Sequence, residues 1–68
     1  MSVYERTKAY IGELYWFDPI RAEVISAKVA RILEDDPKVD ERMDGDDFVS
    51  YASCAMNRLR NEDPCLFM

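Results

Sequence analysis

Every proline in this chain follows an aspartate: Asp18-Pro19, Asp36-Pro37 and Asp63-Pro64 hold all three. Inside a helix, proline removes a hydrogen bond and clashes with the preceding turn, at a cost of about 3 kcal/mol or more. At the first helical position it is harmless, because the N–H it lacks would have no partner there. An aspartate just before that position caps the helix by accepting from a free amide of the first turn. The three pairs therefore cut the chain into segments and propose where helices start and stop.

Between these marks the apolar residues recur at helical spacing. Ser2-Val3-Tyr4-Glu5 fits a capping box, and Val3, Thr7, Tyr10, Ile11, Leu14 and Phe17 follow along one face, with Tyr4 and Tyr15 at its edge. Asp18-Pro19 opens a second helix with two apolar stripes. Ala22, Ile25, Val29, Ile32 and Leu33 form one, and Ile20, Val24 and Ala27 the other. A helix apolar on two sides is expected to be buried on two sides, as the central helix or as one that also meets a partner. After Asp36-Pro37 comes a short charged segment, then Asp44-Gly45. Asp46 or Asp47 is expected to cap a last helix with Phe48, Ala52, Ala55, Met56 and Leu59 on its buried face, flanked by Val49 and Tyr51. Asp63-Pro64 ends it, leaving the apolar tail Cys65-Leu66-Phe67-Met68. The pattern predicts an all-α fold in one domain spanning 1–68, a small bundle of three main helices at about 3–16, 19–34 and 47–61. A short helical turn is expected in the acidic 36–44 segment. No strand pattern or internal repeat is visible.

The net charge of −5 is not spread evenly. Glu34, Asp35, Asp36, Asp40, Glu41, Asp44, Asp46 and Asp47 are opposed only by Lys38 and Arg42, so residues 34–47 carry −6 and the rest of the chain +1. Such a belt repels nucleic acid and membrane phosphate, and attracts basic protein surfaces or hard cations. Some of these aspartates are expected to cap helices, but eight carboxylates exceed what capping requires.

The chain has no histidine. That removes the commonest general base, the Ser-His and Cys-His nucleophile pairs and histidine-based zinc sites, so no enzyme is expected. Two cysteines, Cys54 and Cys65, make no disulfide framework, and unlinked thiols fit a reducing cytoplasmic setting. Met1-Ser2-Val3-Tyr4-Glu5-Arg6 leads into no apolar run of the signal-peptide kind, and nothing approaches a membrane span.

Asp44-Gly45-Asp46-Asp47-Phe48-Val49-Ser50-Tyr51 looks like half of an EF-hand loop. With Asp44 and Asp46 at the third and fifth positions, Arg42 falls first, Asp47 stands where glycine is needed and Ser53 where a bidentate glutamate is needed. With Gly45 at the turn position, Arg42 falls third and Tyr51 twelfth. Both registers fail, so no metal site and no cofactor are expected.

Ala30-Arg31-Ile32-Leu33, then Asp36-Pro37, then a helix ending Met56-Asn57-Arg58-Leu59-Arg60, resembles the trihelical core of winged-helix regulators over the second half of the chain. The resemblance implies DNA binding through the last helix, whose Ser50, Ser53 and Asn57 would meet base edges. Electrostatics oppose it. Asp46 and Asp47 occupy the helix end that usually enters the major groove, Arg58 and Arg60 lie near the other end, and no room remains for a wing.

Cys65-Leu66-Phe67-Met68 also matches a prenylation box, the basis for a membrane-associated alternative. The upstream Asn61-Glu62-Asp63 is acidic where a polybasic second signal is usual. Trp16 lies nearly opposite the core face of the first helix, beside Ala9 and Gly12. It is expected either to cap the helix junction or to anchor an interface, and Gly12 would admit another backbone at that patch.

The function these residues favour is a small, acidic, non-enzymatic protein-binding module: an inhibitor, adaptor or regulator. Proteins of this composition suit phage or mobile-element inhibitors that block the nucleic-acid-binding surface of a host protein. The expected partner-binding residues are Asp35, Asp36, Asp40, Glu41, Asp44, Asp46, Asp47 and Trp16. The expected partners are a basic protein surface and, through the two-sided second helix and Trp16, a second copy of the chain. Nucleic acid and membrane are not expected.

Overall fold

The computed structural model describes residues 2–67. It holds α1 (Val3–Leu14), α2 (Pro19–Asp35), α3 (Gly45–Glu62) and a closing 3-10 turn, η1 (Pro64–Phe67), with no strand among the described residues. The all-α, three-helix reading of the sequence holds.

The caps explain most of the boundaries. Ser2 Oγ accepts from the Glu5 amide at 3.2 Å, and the Ser2 hydroxyl donates to Glu5 Oε1 at 3.4 Å. Asp18 Oδ1 accepts from the Arg21 amide at 3.1 Å, with Pro19 at the first position of α2. The Asp63 amide donates to Leu59 O at 2.7 Å, and Pro64 then prevents α3 from continuing.

Three boundaries differ from the sequence pattern. α1 stops at Leu14, because the chain turns at Tyr15, whose amide donates to Ile11 O, while the Asp18 amide closes onto Tyr15 O at 3.0 Å. Trp16 and Phe17 therefore lie in a turn. α3 begins at Gly45, capped by Asp44, whose Oδ1 accepts from the Gly45 amide at 2.9 Å. Asp46 and Asp47 sit in its first turn, where carboxylates complement the positive end of the helix dipole. The acidic segment makes two separate turns that do not join into a helix. In each, an aspartate closes the backbone bond and its side chain accepts two residues on: Val39 N→Asp36 O with Lys38 N→Asp36 Oδ1, and Met43 N→Asp40 O with Arg42 N→Asp40 Oδ1. Aspartate favours this local bonding over helix propagation.

α2 is the middle element. It packs more extensively against α1 than against α3. The core joins Ile11 of α1, Ile25, Val29 and Leu33 of α2, and Phe48, Ala52, Met56 and Leu59 of α3. Two hydroxyls are buried with them, each bonded to the carbonyl one turn earlier: Thr7 to Val3 O at 2.7 Å and Ser26 to Ala22 O at 2.6 Å. α1 also reaches α3 directly, where Tyr10 Oη and Ser53 Oγ share a hydrogen bond of 3.2 Å. Leu66 and Phe67 fold back onto the core, with Phe67 edge-on to Tyr15 at 6.4 Å and the Arg60 guanidinium 5.0 Å from its ring centre. Met68, the last position of the prenylation box, lies outside the described residues.

One expectation about burial is overturned, and one is left open to a partner. Leu14, at the last position of α1, and Phe17, in the turn after it, are exposed rather than part of the α1 core face. The second stripe of α2 is uncovered: Ile20 is 78% exposed, and Val24 and Ala27 also face outward. α1 and α3 both pack on the Ile25 side, and the described chain supplies nothing for the opposite side. The Cα radius of gyration, 11.1 Å, is nonetheless that of a compact chain of this length, about 11 Å.

Candidate functional site

The acidic belt connects the C-terminal end of α2 to the N-terminal end of α3. Asp35 is the last residue of α2 and is exposed. Asp36 is half-buried in the first turn, and Asp40 is exposed in the second. Glu41 is exposed, Asp44 caps α3, and Asp46 and Asp47 project from its first turn. Seven of the expected partner-binding residues thus lie along one continuous ridge. The eighth, Trp16, does not join them. It stands in the α1–α2 turn, at the far end of α2.

The belt carboxylates do two different jobs. Asp36, Asp40 and Asp44 each spend one oxygen on a backbone amide of the belt. Glu34, Asp35, Glu41, Asp46 and Asp47 make no side-chain hydrogen bond among the described residues. None of the eight pairs with a lysine or arginine: the ion pairs among the described residues are Arg21–Asp18 and Arg58–Glu62, both outside the belt. Among the described residues, no cationic side chain forms an ion pair with the belt carboxylates.

The backbone beneath that charge is fixed from three directions. Val39 and Met43 turn inward and pack against the core. The two aspartate turns set the local path. Arg6, on α1, completes the hold: its Nη1 donates to Glu41 O at 2.9 Å and to Met43 O at 2.8 Å. Its guanidinium also stands 4.4 Å from the centre of the Phe48 ring on α3. The residue that carries the belt is thus a base from the opposite end of the sequence, bonded to carbonyls rather than to carboxylates. Its place beside the α1 core stripe gives no hint of this, because no periodicity marks a residue that bonds a loop's backbone.

The other motifs fare as follows. Among the described residues, no three carboxylates or thiols come together in a way that would hold a metal ion. Cys54 and Cys65 are both free and exposed. No described helix is long and apolar enough to cross a membrane. On α3, Ser50 and Asn57 are exposed as a base-reading face requires, but Ser53 is half-buried and engaged by Tyr10.

At the α1–α2 turn lies an apolar depression, an open groove of about 490 Å³. Lys8, Gly12, Tyr15 and Trp16 line it from the α1 side, and Pro19, Ala22 and Glu23 from α2. Trp16 is 78% exposed and Phe17 62%, with their rings edge-on at 6.1 Å. Trp16 therefore does not cap the helix junction.

Compared with known proteins, the chain matches no family model, no curated protein and no solved structure. Its function must be read from its own residues.

Proposed function

We propose that this protein is a non-enzymatic binding module that docks a cationic protein surface through its acidic belt. It would act as an inhibitor or regulator by occupying a surface that otherwise holds nucleic acid. The observation that carries this reading is the contrast within the belt: its backbone is anchored by Arg6, Val39 and Met43, while none of its carboxylates is paired among the described residues. A solvated loop would need no such anchoring. Fixed, unpaired charge is what electrostatic docking uses, because it steers encounter and loses little freedom on binding.

The belt also contains its own controls. Asp35, Glu41 and Asp47 hold up no turn, so reversing them to lysine alters the surface and leaves the belt's path in place. The experiment captures partners from cell extract on immobilised protein and measures their association rates. The reading expects basic polypeptides, slowed at least tenfold by the triple reversal and progressively by salt. A partner whose association ignores both the reversal and salt would overturn it. Retention of the protein on duplex DNA, surviving the same reversal, would instead favour the DNA-binding alternative.

A further inference from the structure

The α1–α2 groove is independent of the belt, which hangs from the other end of the hairpin. α2 alone separates the two by about 25 Å at 1.5 Å per residue. The groove has a peculiar floor. An added Cβ at Gly12 would meet nothing within 4 Å, so no part of this chain approaches closely enough to require glycine. Glycine in a helix costs about 1 kcal/mol relative to alanine. Within the folded chain, nothing returns that cost. Beside this bare floor stands the most exposed aromatic of the protein, Trp16, supported edge-on by Phe17. A projecting ring and an open recess thus lie side by side on one patch.

We propose that the occupant of this groove is a second copy of the chain, related by a twofold axis, with each Trp16 seated over the other copy's Gly12. A twofold contact uses the same patch on both copies, so the patch must carry both the projection and the recess, as this one does. Its charges obey the same rule. Lys8 and Glu23 line the groove from opposite helices, and neither has an ion-pair partner among the described residues. The proposed dimer sets each Lys8 against the other copy's Glu23, with two ion pairs at the rim of an apolar contact. A lipid surface suits the patch poorly, because a chain of net charge −5 is repelled by anionic headgroups. The dimer leaves both belts uncovered, so it could engage two basic sites at once.

Sedimentation equilibrium of the full chain, from 5 to about 500 µM, tests the proposal. The expected result is a reversible dimer of twice the 8.0 kDa chain mass, with Trp16 emission shifting to the blue as the dimer forms. Gly12→Leu places a side chain in the recess from a Cβ position that meets nothing within 4 Å, and should weaken association at least tenfold. Lys8→Glu alone and Glu23→Lys alone should each weaken it, and the double exchange should restore it. Restoration cannot come from misfolding, and it cannot arise if another polypeptide fills the groove. A chain that stays at 8.0 kDa throughout overturns the proposal. So does a dimer that persists unchanged in Gly12→Leu, or one that the double exchange fails to restore.

Discussion

The Arg6 guanidinium stands 4.4 Å from the centre of the Phe48 ring while donating to the carbonyls of Glu41 and Met43. One side chain of α1 thereby ties the acidic belt to the first turn of α3. It is cationic, but it neutralises no belt carboxylate. It organises the belt and leaves the charge available.

Arg6→Ala removes a charged donor to two carbonyls and the contact with Phe48. Hydrogen bonds from charged groups contribute about 1.5–3 kcal/mol net, so a loss of about 2 kcal/mol in urea unfolding is expected. Backbone amides between Val39 and Gly45 should exchange faster well before the helices do. Arg6→Lys should recover less than half of the loss, because an ammonium lacks the planar face that lies near the ring. Unchanged exchange across the belt in Arg6→Ala would show that Val39 and Met43 suffice to hold it.

The Asp18 cap fixes the α1–α2 boundary, since its carboxylate takes the Arg21 amide that Pro19 cannot replace. Asp18→Ala should cost about 0.5–2 kcal/mol, read as a melting temperature lower by several degrees. Pro19→Ala should be near neutral or slightly destabilising, because proline at this position also restricts the unfolded chain. A strong gain in stability for Pro19→Ala would mean that the proline strains the helix it opens.

The helices were legible because their signals are local. Each aspartate cap and each core stripe lies within a few residues of the backbone it governs, as Ser2 with Glu5 and Asp18 with Arg21 show. Periodicity alone does not say which stripe a neighbouring element covers. Leu14 and Phe17 continue the α1 stripe in register, yet both are exposed, at the end of α1 and in the turn after it. Ile20, Val24 and Ala27 form a genuine second stripe, but a three-helix chain has no element left to cover it. Asp36-Pro37 has the same letters as Asp18-Pro19 and a different outcome. The segment after it lacks an apolar face with which to pack a helix, so Asp36 closes a turn instead. The belt's position and charge were plain from residues 34–47. Its rigidity was not, because that depends on Arg6, some 35 residues away.

Gly12 gives a direct check on the helix interior. Its surroundings admit a Cβ without contact, so Gly12→Ala should raise stability by about 0.5–1 kcal/mol through the reduced freedom of the unfolded chain. The comparison belongs at a protein concentration where the chain is monomeric. A loss of stability there would mean that the α1 backbone at Gly12 needs a conformation that alanine resists.

The belt should also affect stability, and its two kinds of carboxylate should differ in effect. Asp36 and Asp40 each accept a backbone amide within their turn, so Asp36→Ala or Asp40→Ala should cost about 1 kcal/mol. The carboxylates of Glu41 and Asp47 accept no hydrogen bond among the described residues and stand among like charges. Glu41→Gln should therefore raise the melting temperature slightly, by relieving repulsion among like charges, whereas Asp47→Asn should be near neutral, because it also gives up the interaction with the α3 dipole. Salt acts on the same repulsion. At 0.5 M the screening length is only a few ångströms, shorter than the spacing of most charges along the belt. Sodium chloride should thus stabilise the unmodified protein more than it stabilises a variant carrying both Glu41→Gln and Asp47→Asn. Thermal melts of the two proteins across a salt series measure this difference. Equal salt responses would mean that the folded belt carries no more repulsion than the unfolded chain, and the contrast between capping and uncommitted carboxylates would lose its energetic basis.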